Sequence, residues 1–151
     1  MTQVDFYILS GTSDAELLRT ASRIAEKAVE RGQRVHLNAA TDAQARQLDE
    51  MLWTFSQSSF LPHRIVSGAA GSAPADRAPT EPVLIAAGEE IAIGPWSVLI
   101  NLAGVVPEFF SRYERVAELV DGEAERRVHG RERYRYYRDR GYELRTHNLP
   151  T

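Results

Sequence analysis

The chain has 151 residues, 43% of them hydrophobic and 26% charged, and it contains no cysteine. That is enough apolar sequence for one compact domain with a core, and it excludes disulfides, thiolate metal sites and a thiol nucleophile. The net charge is −3, no apolar run approaches the roughly 20 residues that cross a bilayer, and Met1 to Asp5 open no signal-like segment, so a cytoplasmic domain over residues 1–151 is expected.

Val4 to Leu9 is short, apolar and rich in β-formers, and it reads as a buried strand ending at Ser10-Gly11. Ser13 or Asp14 then caps a helix whose apolar positions Leu17, Leu18, Ala21, Ile24, Ala25 and Ala28 recur at helical spacing, with Arg31-Gly32 as its stop. Val35 to Leu37 is a second strand. Thr41 or Asp42 caps a second helix with Ala45, Leu48, Met51, Leu52 and Phe55 on its inner face. From residue 67 to 82 the chain turns to Gly, Ala, Ser and Pro and predicts a flexible surface loop within the domain. Strands follow at Val83–Ala86 and Val98–Leu102. Pro107 suits the first turn of a third helix carrying Phe109, Phe110 and Tyr113. Val116 to Val120 fits either an extension of that helix or a strand. A last helix runs from about Glu123 to Arg140, and Tyr142 to Arg145 offers a terminal strand. The alternation of strands and helices predicts an α/β fold with a largely parallel sheet.

The first strand–helix turn, Leu9-Ser10-Gly11-Thr12-Ser13-Asp14, lacks the longer loop and lysine of a Walker-type phosphate cradle and has one glycine where a dinucleotide fingerprint needs three. It reads as an ordinary turn and cap. His36, His63, His129 and His147 match no metal-ligand spacing, and no serine stands in a Gly-x-Ser-x-Gly elbow. Asp49 and Glu50 are adjacent on a helix, point about 100° apart and read as a solvated face. No catalytic residue, metal or cofactor is expected.

Residues 126–145 hold eight arginines against three acids, so this segment carries +5 and the remainder −8. Such asymmetry points to an anionic partner. On a helical wheel Arg127, Arg131, Tyr134, Arg135 and Arg138 share about a third of the circumference, while Val128 and Tyr136 lie further round, on the side expected to pack inward. Guanidinium forks around a tyrosine suit a ligand with a carboxylate and an apolar group. Residue types alone leave two alternatives open: a merely solubilising face, and direct contact with single-stranded nucleic acid.

The chain also resembles a known family, the chi subunit of bacterial DNA polymerase III holoenzyme. The resemblance runs over essentially the whole length and rests on an ordered set of segments: Phe6-Tyr7-Ile8-Leu9, Gly32-Gln33-Arg34-Val35, Leu48-Asp49-Glu50-Met51-Leu52-Trp53, Ser59-Phe60-Leu61-Pro62-His63, and Arg131-Glu132-Arg133-Tyr134-Arg135-Tyr136-Tyr137-Arg138 with Gly141-Tyr142. It implies a three-layer, Rossmann-like fold without nucleotide chemistry, and a non-catalytic adaptor with two protein partners. One is the acidic C-terminal tail of single-stranded DNA-binding protein, which ends in a phenylalanine carboxylate. The other is the psi subunit of the clamp loader. Carried over by motif, the tail site comprises Arg131 for the terminal carboxylate, Tyr134 and Val120 as walls for the ring, and Arg127 and Arg135 for the upstream acids. Trp53, Phe60 and Pro62 match the psi-facing region. DNA is reached indirectly, and no membrane partner is implied.

Overall fold

A computed structural model describes residues 2–55, 61–66, 80–88 and 97–149. Its centre is a seven-stranded sheet in which every pairing is parallel. The strands are β1 (Gln3–Leu9), β2 (Val35–Ala39), β3 (His63–Ile65), β4 (Val83–Ala87), β5 (Val98–Asn101), β6 (Arg115–Val120) and β7 (Glu143–Leu149), in the order β3-β4-β2-β5-β6-β1-β7. Parallel strands need crossovers over the sheet faces, so the central strands are covered on both sides and read as near-continuous apolar runs.

Helices α1 (Asp14–Glu30) and α2 (Asp42–Thr54) cover one face. Ser13 caps α1 by accepting from the Glu16 N–H, and Thr41 caps α2 by accepting from the Gln44 N–H. Leu17, Leu18, Ala21 and Ala25 of α1 and Ala45, Leu48 and Leu52 of α2 pack on Val35, Leu37, Ile85, Ile100 and Leu119. Met51 and Phe55, expected on the inner face of α2, are only partly buried at its margin. The opposite face is covered by α3 (Ala124–Asp139), whose Tyr137 is buried among Val4, Phe6, Leu99, Phe110 and Val116. The period-2 alternation of each strand divides these two cores: Phe6 and Ile8 of β1 face α3, whereas Tyr7 and Leu9 face α1. The result is the three-layer α/β arrangement of a Rossmann-like fold.

Three local expectations are corrected. The stretch after Pro107 forms only a short 3-10 turn, Phe110–Arg112, rather than a helix. Its aromatic residues insert into the α3-side core, and the chain must then enter β6 between β5 and β1. Val116 to Val120 is thereby fixed as strand. Asp49 is not merely solvated: its carboxylate lies 3.1 Å from His63 Nε2 and ties α2 to the short edge strand β3. Val128 is 51% exposed instead of packing inward, whereas Tyr136 does pack, edge-on against Phe110. Within the predicted 67–82 loop, residues 67–79 lie outside the described residues, and 80–82 lead into β4.

His36, one of the four histidines that match no metal-ligand spacing, is fully buried on β2. Its ring stacks on Phe109 and its Nδ1 lies 2.5 Å from the Tyr113 hydroxyl. Burial lowers its pKa to about 3, so the folded protein holds it neutral. An unfolded histidine titrates near 6.5, hence the unfolded state binds the extra proton between these values and stability falls as pH drops through that window. The loss from this group between pH 7 and pH 5 is about 2 kcal/mol. Urea titrations at both pH values should show a flatter profile for His36→Gln than for the unaltered chain; an identical slope would exclude this origin.

Candidate partner-binding site

Connections leave β1 and β6 on opposite faces, β1 through α1 and β6 through α3, although the two strands are neighbours. This is a topological switch point, where open parallel sheets form a crevice outside the carboxyl ends of their strands. The two turns that edge it are closely packed. The Gly122 N–H donates to the Gly11 carbonyl at 2.7 Å, and a Cβ at Gly122 would stand 2.9 Å from the Ser10 carbonyl oxygen.

Helix α3 borders the crevice. Its first turn is capped by Glu123, whose carboxylate accepts from the N–H groups of Arg126 (2.8 Å) and Glu125 (3.2 Å); these bonds hold the carboxyl below the ordinary range. Arg126 bridges Asp121 of the β6–α3 turn, at 2.7 and 2.8 Å, to Asp14 at the start of α1. Its guanidinium is held firmly charged by the buried Asp121 carboxylate, which in turn is neutralised. Gly130 is buried where the helix meets the sheet, and a Cβ there would stand 2.7 Å from Val120 Cγ2. The absence of that atom sets how closely α3 approaches β6.

Deeper in, Arg133 and Tyr137 fasten the helix to a polar seam across the sheet. Arg133 Nε donates to Glu118 Oε1 at 2.8 Å, and the Tyr137 hydroxyl donates to Glu118 Oε2 at 2.6 Å. The Asn101 amide donates to the same carboxylate, and Asn38 donates to Asn101 at 3.0 Å. Arg133 also reaches the Gly104 carbonyl. Glu118 is wholly buried, and desolvation pushes its carboxyl upward while the Arg133 charge and the three donors oppose that shift. Desolvation and the neighbouring carboxylate likewise raise the Tyr137 phenol, keeping it a donor.

The crevice itself has a volume of about 410 Å³. Phe6, Ile8 and Val120 form its apolar floor, and Arg127, Arg131 and Tyr134 stand on the α3 rim. Tyr134 is 37% exposed and packs edge-on to Phe6 at 5.2 Å. Of the five residues predicted for this site, Arg127, Arg131, Tyr134 and Val120 are brought together; Arg135 is exposed one turn further on and is not part of the lining. The eight arginines also separate by role. Arg126 and Arg133 are structural, Arg138 and Arg145 pair with Asp139 and Glu143, and Arg140 lies 3.5 Å over the Tyr136 ring. Arg127, Arg131 and Arg135 have no ion pair among the described residues.

Sequence reasoning did not single out Arg133, Glu118 or Gly130. The available signal was polar residues at central positions of otherwise apolar strands, Asn38, Asn101 and Glu118, together with the inward spacing Gly130, Arg133, Tyr137 on α3. Of the other predicted surface, Trp53 is 57% exposed on α2, with its ring edge-on to His63 at 4.9 Å, and Pro62 is exposed beside it in sequence; Phe60 lies outside the described residues.

Fold and site together define a Rossmann-like α/β protein with a basic, apolar-floored crevice at its switch point. Comparison with known proteins gives the family. The family model described as "DNA polymerase III chi subunit, HolC" matches residues 1–145. The chain is 37% identical to DNA polymerase III subunit chi of Pseudomonas aeruginosa over 150 residues, 99% of each chain. It is 31% identical to the Escherichia coli subunit, covering 97% of each, and 28% identical to that of Haemophilus influenzae, covering 95% of each. The crystal structure of T4 UvsW shares the fold, with a TM-score of 0.65 at 10% identity, over 99% of this chain and 42% of that one. The chain belongs to the DNA polymerase III chi subunit family, and it is a replication accessory subunit.

Proposed function

We propose that this chain, acting as one chi-like domain in the cytoplasm, is a non-catalytic adaptor that captures the acidic C-terminal tail of single-stranded DNA-binding protein in the α3 crevice. Through the psi subunit it would link that protein, and so DNA indirectly, to the clamp loader. The observation that carries this reading is the distribution of unpaired charge. On α3, Arg127, Arg131 and Arg135 have no ion pair among the described residues, and two of them, Arg127 and Arg131, stand on the crevice rim over an apolar floor. A terminal phenylalanine has both halves of the matching chemistry, a ring for Phe6, Ile8 and Val120 and a carboxylate for the Arg131 fork. Neutralisation of Asp121 by Arg126 removes the one carboxylate in the lining that would repel it. The psi surface is assigned to Trp53, Phe60 and Pro62, because an exposed tryptophan is the kind of side chain that anchors a partner.

A titration tests the tail assignment. A labelled acidic peptide ending in phenylalanine should bind on the order of micromolar, about 8 kcal/mol, and weaken with salt. Removing the terminal phenylalanine should abolish binding. Unchanged affinity after truncation, or tighter binding of a bare oligonucleotide, would replace this reading by direct nucleic-acid contact.

A further inference from the structure

A second groove lies back to back with the first, on the α1 face of β1 and β6. Its volume is about 440 Å³. The floor is largely apolar, from Tyr7, Ala117 and Leu149 of the sheet and Ile24 of α1. One rim is a stripe of exposed cations spaced every four residues, Arg23 and Lys27 on α1 and Arg31 at its C-cap. None of the three has an ion pair among the described residues. The acids in the lining are already engaged. Asp5 is 3% exposed and accepts from Arg115 at 3.0 Å, from Gln3 and from His147, while Glu16 pairs with Arg19. Burial works to raise the Asp5 carboxyl, but those hydrogen bonds outweigh it and hold it ionised below its usual range.

We propose that this groove is a second peptide site, taking an extended segment of another protein in which carboxylates alternate with aliphatic side chains. Cations four residues apart on a helix rise by about 6 Å per step, and alternate residues of an extended chain advance by about 6.6 Å. The stripe therefore meets every second side chain of a peptide laid along α1, and the intervening side chains turn to the floor. A phosphate polymer fits less well. Glu26 and Glu30 flank the cations on the same helix outside the lining, and the chain beyond 126–145 carries −8. Base stacking would have to use Tyr7, whose ring is already covered by His147 at 4.8 Å. The assignment is independent of the α3 crevice, which lies on the other face of the sheet.

The test uses the full chain, isotopically labelled for amide spectra, and a C-terminally amidated peptide of alternating aspartate and leucine. Amidation removes the carboxylate that the α3 crevice is assigned to read. Saturable shifts are expected around Tyr7, Thr20 and Leu149. Lys27→Glu combined with Arg31→Glu should weaken binding by about tenfold or more, and Arg131→Glu should leave it unchanged. The spectrum of each variant reports directly whether it is folded, and the shift map of the unaltered chain stands without any variant. Absence of saturable shifts near Tyr7, shifts confined to α3, or tighter binding of hexathymidylate at the same amides would each overturn the proposal.

Discussion

Arg133→Met is expected to destabilise the fold by about 3–5 kcal/mol, the largest effect of any single change to the basic helix. The reason is the group left behind. Glu118 is completely buried, and Arg133, itself only 6% exposed, is the cation that compensates it. With the guanidinium gone, the carboxyl keeps the Tyr137 and Asn101 donors but no opposing charge, so its pKa rises further. An acid raised in the folded state contributes stability that is present below its unfolded pKa, about 4.3, and lost as pH rises through the folded value. The deficit of Arg133→Met should therefore be larger at pH 7 than at pH 4.5. Adding Glu118→Gln should recover much of it, because a neutral amide does not require the cation. Equal losses at both pH values, or no recovery in the double variant, would show that Arg133 acts through packing alone.

The same pair marks the boundary of what the sequence made legible. Elements with strong local signals emerged at nearly their observed positions: β1, α1, β2, α2, β4 and β5 combine apolar periodicity with Ser or Thr caps and Gly turns. The stretch after Pro107 failed because Phe109, Phe110 and Tyr113 have the spacing that one helical turn and a 3-10 turn share. Only the tertiary demand for a strand between β5 and β1 separates the two. β3 is three residues of edge strand with no apolar pattern to read, and β7 is exposed and polar, so the sequence offered only its start, at Tyr142 to Arg145, and not its run to Leu149. For the site, the wheel found the outward face of α3 correctly. It could not reveal that two of the eight arginines are structural, because their carboxylates, Glu118 and Asp121, come from a different element. The wheel and the motif both grouped Arg135 with this face, yet it is exposed and stands outside the crevice lining, because sharing a third of a helix circumference does not fix which side chains reach a groove formed with a neighbouring strand.

Arg131→Glu is expected to weaken binding of the phenylalanine-terminated acidic peptide by about a hundredfold or more, with stability changed by less than about 0.5 kcal/mol. Both halves follow from position. Arg131 is exposed and has no internal ion pair among the described residues, so the fold does not need it. It stands between Arg127 and Tyr134 on the crevice rim, where a reversed charge meets the incoming carboxylate directly. Arg131→Lys retains the charge but loses the planar fork, and affinity should fall to an intermediate value. Arg135→Glu tests the geometry more sharply. That side chain lies outside the lining, so its reversal should reduce affinity only a few-fold, through a long-range field that salt removes. Equal losses at 131 and 135, both vanishing at high salt, would mean that the helix attracts acids diffusely and that the crevice does not read a terminal carboxylate.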